Sequence, residues 1–144
     1  MRRILFRAKK LGTNEWVYGH YYHKAGMEGE GEKVQLHNQH FIVEQTKYHE
    51  IKHTQIDPNT LGQLVIDKYG ATVFEDDIIK FVKTHNKKSY IGRVEYCSGV
   101  AAFMLTSNKI WCSAEFGIGI SDLEVIGNIY DNPELLQELE EDKS

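Results

Sequence analysis

Glu124-Val125-Ile126-Gly127-Asn128-Ile129-Tyr130-Asp131-Asn132-Pro133-Glu134-Leu135-Leu136 reads as a strand, a turn and a helix start. The β-branched pair Val125-Ile126 and then Ile129 suit a half-buried strand, and Gly127-Asn128 marks a bend. Asp131 or Asn132 is expected to accept the orphan amides of a terminal helix. Pro133 fits the first helical position, and Glu134 lies where the helix dipole favours an acid. No polar side chains in this stretch converge for chemistry.

Working outward, turn signals recur every 8–12 residues between short β-rich runs, which predicts an all-β barrel or sandwich with one helix at its end. Ile4–Ala8 and Trp16–Tyr22 flank Gly12-Thr13-Asn14 and read as an opening hairpin. Met27–Lys33 reads as a polar loop, and Val34–Gln45 as a pair of short strands. Asp57-Pro58-Asn59 is a turn, followed by a strand over Leu61–Ile66 and a tight turn at Asp67-Lys68-Tyr69-Gly70. Further strands are expected at Thr72–Phe74, Ile78–Lys83, Tyr90–Cys97, Val100–Leu105, Ile110–Ala114 (after a turn at Ser107-Asn108-Lys109) and Leu123–Ile129. The run from Thr60 to Tyr130 suffices for a small barrel of five or six strands. The expected division is a β extension over residues 1–57 and a barrel with its helix over 58–144. Core positions are expected at Phe6, Trp16, Phe74, Ile78, Phe81, Val94, Val125, Ile126, Ile129 and Tyr130.

The 144 residues suit one domain or two small β modules. Hydrophobic content of 41 % is enough for a folded core and argues against disorder. No apolar run reaches the roughly 18 residues of a membrane helix, and the start is too short in apolar residues for a signal peptide. A cytoplasmic protein is expected, with Cys97 and Cys112 as reduced thiols. The net charge of −4 is uneven. Residues 134–144 hold five acids and one lysine, whereas 80–93 hold Lys80, Lys83, Lys87, Lys88 and Arg93 and no acid.

Four segments of the chain together resemble the YopX family of phage and prophage proteins. Phe6-Arg7-Ala8-Lys9 with Glu15-Trp16-Val17-Tyr18-Gly19 resembles the family's opening hairpin. Thr60-Leu61-Gly62-Gln63 resembles a strand entry, and Glu75-Asp76-Asp77-Ile78 a turn in which Asp76 stands where the family usually has glycine. Val125–Tyr130 and Asn132–Leu136 match best. The resemblance implies an SH3-type β-barrel in the C-terminal part with an N-terminal β extension, and an origin in a phage or prophage. It carries no catalytic residue and no cofactor. Asp76 is then read as an aspartate that either relaxes the turn or accepts a positive φ.

Two constellations merit chemistry. His49-Glu50-Ile51-Lys52-His53 spells HExxH, which on a helix sets two imidazoles on one face around zinc, the glutamate activating water. Thr46, Tyr48, Ile51, Thr54 and Ile56 favour a strand instead, although Phe41, Tyr48, Ile51 and Gln55 can also line a helical face. On a strand His49 and His53 would stand about 13 Å apart. The HxxH pairs His20/His23 and His37/His40 would point to opposite faces of a strand. The second constellation is the basic hairpin: Lys83, Lys87, Lys88 and Arg93 would contact phosphates, and Tyr90 would stack on unpaired bases. Against it stand the negative net charge and the lack of a nucleic-acid signature. The leading expectation is a non-enzymatic accessory protein that binds a phage or host protein or a second copy of itself. Nucleic-acid binding is the alternative and a zinc hydrolase the remote one.

Overall fold

A computed structural model of the chain describes residues 3–33, 35–68, 71–107 and 119–141. The chain divides into two compact units, one ending at Gln63 and the other starting at Leu64.

In the first unit β1 (Phe6–Lys9) pairs antiparallel with the start of β2 (Trp16–Glu28), Phe6 facing Gly19 and Lys9 facing Trp16. The remainder of β2 pairs with β3 (Gln35–Gln45), from His20 opposite Val43 to Glu28 opposite Gln35. β2 thus changes partner at Gly19, and the crossing leaves no room for a side chain. A Cβ on Gly19 would lie 2.1 Å from the Val43 carbonyl oxygen. β4 (Ile51–Gln55) completes the row along the outer edge of β3.

One face of these strands is the core. Ala8, Val17, Ile42 and Ile56 are buried, with Phe6, Tyr21 and Leu61 packed against them. Fully burying a side chain such as Ile42 contributes about 1.5–3 kcal/mol. The chain leaves β4 through a single turn of 3-10 helix at Pro58–Thr60, where the Asp57 carboxylate accepts the Asn59 amide. The Lys9 amide donates to the Thr60 hydroxyl at 2.8 Å, tying this turn to β1. β5 (Gly62–Lys68) begins by placing Gly62 and Gln63 opposite Arg7 and Phe6.

In the second unit β5 continues from Leu64 in antiparallel pairing with β6 (Ala71–Phe74). β7 (Asp77–Lys83), β8 (Ser89–Cys97) and β9 (Ala102–Thr106) form a meander, and β10 (Ile120–Asn128) pairs with the free edge of β7. The sheet order is therefore β10-β7-β8-β9. Alternate residues Ile79, Phe81, Val94 and Leu105 point to one face and are buried with Val73 of β6, with Val65 of β5 and Leu123 of β10 packed around them. The helix α1 (Pro133–Glu141) follows.

The all-β class holds. The closed barrel does not form among the described residues: the sheet is open between β9 and β10, and apolar residues of the β5–β6 hairpin cover its inner face. Residues 35–45 are not two short strands. From Gln35 they are one eleven-residue strand, paired with β2 from Gln35 to Val43 and with β4 from Phe41 to Gln45. β2 likewise extends through Met27 and Glu28, which shortens the expected polar loop to residues 29–33, with a 3-10 turn at Gly31–Lys33. The turn centred on Tyr69-Gly70, the turn at Asn108-Lys109 and the strand over Ile110–Ala114 lie outside the described residues, as does Cys112. Cys97 is a free thiol.

Among the core expectations, Phe74, Ile78, Phe81 and Val94 are buried. Phe6, Trp16, Ile126, Ile129 and Tyr130 are half-buried. Val125 is exposed, at 38 %. The register of β10 against β7 slips twice, around Ser121/Glu124 and Val125/Gly127, so the alternation breaks and Leu123 joins the core instead.

Of the two expected helix caps, Asn132 turns its side-chain oxygen away from the helix. The Asn132 side-chain oxygen accepts the amide of Asn128 behind it, at 3.2 Å, and no bond to a helix amide is found for that oxygen among the described residues. Asn128 in turn accepts the amides of Tyr130 and Asp131 and donates to the Asp131 carboxylate. The Asn128 and Asn132 side chains thus close the turn between β10 and α1. Gly127 is required there, since a Cβ would lie 2.5 Å from Asn132 Oδ1 and 2.9 Å from Leu135 Cδ1.

Candidate functional site

The wing formed by β2, β3 and β4 gathers most of the chain's histidines and several aromatic rings. Cross-strand neighbours share a face, so the register assigns each ring. On the face away from the core lie Tyr18, His20 and Tyr22 of β2, Phe41 and Val43 of β3, and Ile51 and His53 of β4. Tyr22 stacks on Phe41 with ring centroids 5.0 Å apart, and its hydroxyl is 2.9 Å from His53 Nδ1. Tyr18 is 46 % exposed and Ile51 68 % exposed. Tyr48, on the loop between β3 and β4, is 71 % exposed under the Lys47 ammonium. At the β1 end of this face the Arg7 guanidinium and the Lys9 ammonium lie over Trp16, at 4.6 and 5.4 Å from its ring centroids.

The core face carries a second set beyond the buried stripe. His23 stands directly opposite His40, the rings 4.8 Å apart and 19° from parallel. The Tyr21 hydroxyl is 2.7 Å from His40 Nδ1, and His23 Nε2 is 3.0 Å from Asn38 Oδ1. Each HxxH pair is split between faces, as expected for a strand. The pairing of β2 with β3 instead brings together one histidine from each pair. Because the β2–β3 hairpin turns between residues 31 and 32, positions summing to 63 face one another. Reading 34–45 as two strands hid that register.

The HExxH string is not on a helix. His49 sits in the β3–β4 loop with φ of +62°, its amide donating to the Thr46 carbonyl. His53 lies mid-strand in β4 with its ring engaged by Tyr22. The two imidazoles therefore do not share the helical face that the zincin arrangement requires. Among the described residues no group of three or more His, Cys, Asp and Glu side chains is placed to hold a metal ion.

The basic hairpin is built as expected but does not unite its residues. Lys83 ends β7, Lys87 occupies the loop with φ of +59°, and Lys88 precedes β8. Tyr90 packs on Phe81, lies 5.4 Å from the Lys83 ammonium, and accepts a hydrogen bond from Asn86. Its half-buried ring is part of the core margin. Arg93 is three residues further along β8 and so on the opposite face of the sheet, away from Tyr90.

There Arg93 belongs to a polar network that the sequence did not reveal. Asp76, in the β6–β7 turn with φ of +68°, accepts from Arg93 Nη2 at 2.8 Å and Nε at 3.2 Å. Its second oxygen accepts from the Tyr130 hydroxyl at 2.8 Å. Arg93 also pairs with Glu95, which bonds the Thr106 hydroxyl. Burial, the hydrogen bond to Asp76 and that carboxylate's charge all push the Tyr130 phenol well above its usual range. Asp77 diverges from its neighbour: it is buried and accepts the Phe74 amide at 2.7 Å. These groups fix a turn and a strand end.

The fold and this geometry define an all-β chain of two small sheet units with a surface rich in aromatic and histidine side chains. The sequence matches the family described as YopX protein over residues 5–137, and the chain belongs to that family. No curated protein and no solved structure matches it. No helix among the described residues is long and apolar enough to cross a membrane.

Proposed function

We propose that this YopX protein is a non-enzymatic protein-interaction module that binds through the outer face of the β2–β3–β4 wing. The observation that carries this reading is the exposed row of Tyr18 and Ile51 beside Tyr22, Phe41 and Val43, with Tyr48 at its rim. Large apolar side chains grouped on one sheet face and left in water mark interaction surfaces. β4 adds an outer strand edge on the same wing, with backbone groups able to pair with another chain. The partner is a phage or host protein or a second copy of the chain. The setting, a phage or prophage product in the bacterial cytoplasm, rests on the family resemblance. So does the reading of residues 58–144 as a relative of the SH3-type barrel, which the covering of one sheet face by β5 and β6 supports.

Nucleic-acid binding by the hairpin is the weaker reading, because Tyr90 packs against Phe81 at the core margin and Arg93 faces the other way. The test is a Tyr18→Ser, Ile51→Ser double variant compared with a Lys87→Glu, Lys88→Glu variant. The wing variant should lose proteins captured by the wild type, or its self-association, while keeping its melting temperature. Salt-sensitive nucleic-acid binding lost only in the lysine variant would replace this reading with the alternative.

A further inference from the structure

We propose that His23 and His40 form a bidentate site for a divalent transition-metal ion of the imidazole-preferring kind, Cu2+ ahead of Zn2+. The site is separate from the outer face of the wing. It lies on the core face of the β2–β3 hairpin, where His40 is half-buried and His23 is exposed to incoming ions.

Three observations build it. First, the imidazoles are direct cross-strand partners, so the sheet itself sets their separation. An ion held at about 2 Å by each nitrogen needs the two nitrogens no more than about 4 Å apart. Each lone pair lies in its ring plane, so rings stacked at 4.8 Å must turn about their side-chain torsions for both nitrogens to face one ion, and the exposed His23 ring, beside the exposed Asn38, is the one with room to turn. Second, the outer hydrogen bonds can leave one lone pair on each ring. The Asn38 oxygen can only accept, so His23 Nε2 carries the hydrogen and the neutral ring keeps its lone pair on Nδ1. His40 Nδ1 is held by the Tyr21 hydroxyl, and when Nδ1–H donates to that oxygen, Nε2 is the ligand nitrogen. Third, Tyr21 is anchored in the core of this unit, so the group that orients His40 is itself fixed. A ligating histidine whose second nitrogen is bound to an anchored partner is the arrangement that strengthens metal binding. Two protein nitrogens leave the remaining positions of the ion to water, which suits the tetragonal geometry of Cu2+.

The test is titration of untagged protein with Cu2+ in a weakly coordinating buffer, followed by calorimetry and electron paramagnetic resonance. One ion per chain with two-nitrogen hyperfine structure is expected. His23→Ala and His40→Ala should each abolish that complex, and His20→Ala and His53→Ala should leave it intact. Tyr21→Phe keeps the packed ring but removes the orienting hydroxyl, and should weaken binding about tenfold. Binding that survives His23→Ala, or that is spread over several ions per chain, would overturn the proposal. A Tyr21→Phe variant indistinguishable from the wild type would overturn it too, because the histidines would then act only as surface imidazoles. Circular dichroism of each variant separates loss of ligand from loss of fold.

Discussion

The Tyr130 hydroxyl donates to the Asp76 carboxylate at 2.8 Å across 54 positions of sequence, while Arg93 takes the other oxygen of the same carboxylate. The β6–β7 turn, the middle of β8 and the segment after β10 thus share one anchor. Backbone bonds reinforce it: the Asp76 amide donates to the Val94 carbonyl, and the Ile129 amide donates to the Asp76 carbonyl. Asp76 adopts a left-handed φ that a side chain tolerates at a cost, and its three side-chain bonds offset that cost.

Asp76→Ala should therefore destabilise the chain more than Asp76→Gly. Both lose the bonds to Arg93 and Tyr130, but only alanine keeps the left-handed strain, a difference of about 1 kcal/mol. Chemical denaturation of the two variants checks the order; equal midpoints would mean the turn relaxes.

Tyr130→Phe should change the alkaline limb of stability. The folded-state pKa of Tyr130 is raised, so its contribution is fully present below the unfolded value of about 10 and is lost as pH rises through the higher folded value. The melting temperature of the wild type should fall further than that of Tyr130→Phe above about pH 10. A pH series of melts on both proteins reads the difference directly.

Gly19→Ala should be severe and Gly26→Ala mild, although both glycines lie in β2. A Cβ at Gly19 would collide with the Val43 carbonyl, whereas one at Gly26 meets nothing within 4 Å. The expected cost at Gly19 is about 3 kcal/mol or more, and near zero at Gly26. Thermal melts of the two variants are sufficient.

Arg93→Ala should lower stability by about 1–3 kcal/mol, since it removes a two-bonded charged partner from a partly buried carboxylate. It should not alter nucleic-acid retention, because Arg93 lies on the opposite sheet face from Tyr90. Equilibrium unfolding and a mobility assay on the same variant check both halves.

Much of the strand pattern was legible because turn chemistry is local. Asp57-Pro58-Asn59 and Gly12-Thr13 announce their turns in a few residues, and the alternation around Phe81 and Val94 announces their faces. What failed depends on distant partners. Val125 looks like core in its own segment, and only the slipped register against β7 turns it outward. Asn132 looks like a helix cap, and only the return of the chain to Asn128 draws its oxygen elsewhere. Arg93 looks like part of a lysine cluster by proximity in sequence, but strand alternation sends it to Asp76. The His23–His40 pair was written in the hairpin register, which becomes readable once 35–45 is recognised as one strand.

The most direct test of the central claim is site-specific photo-cross-linking in bacterial cells, with a photoreactive residue at Ile51 or Tyr18 and, in parallel, at Lys87. The account predicts cross-links from the wing positions to a protein, whether another copy or a different chain, and few from position 87. Cross-links to nucleic acid from position 87, with none from the wing, would contradict it.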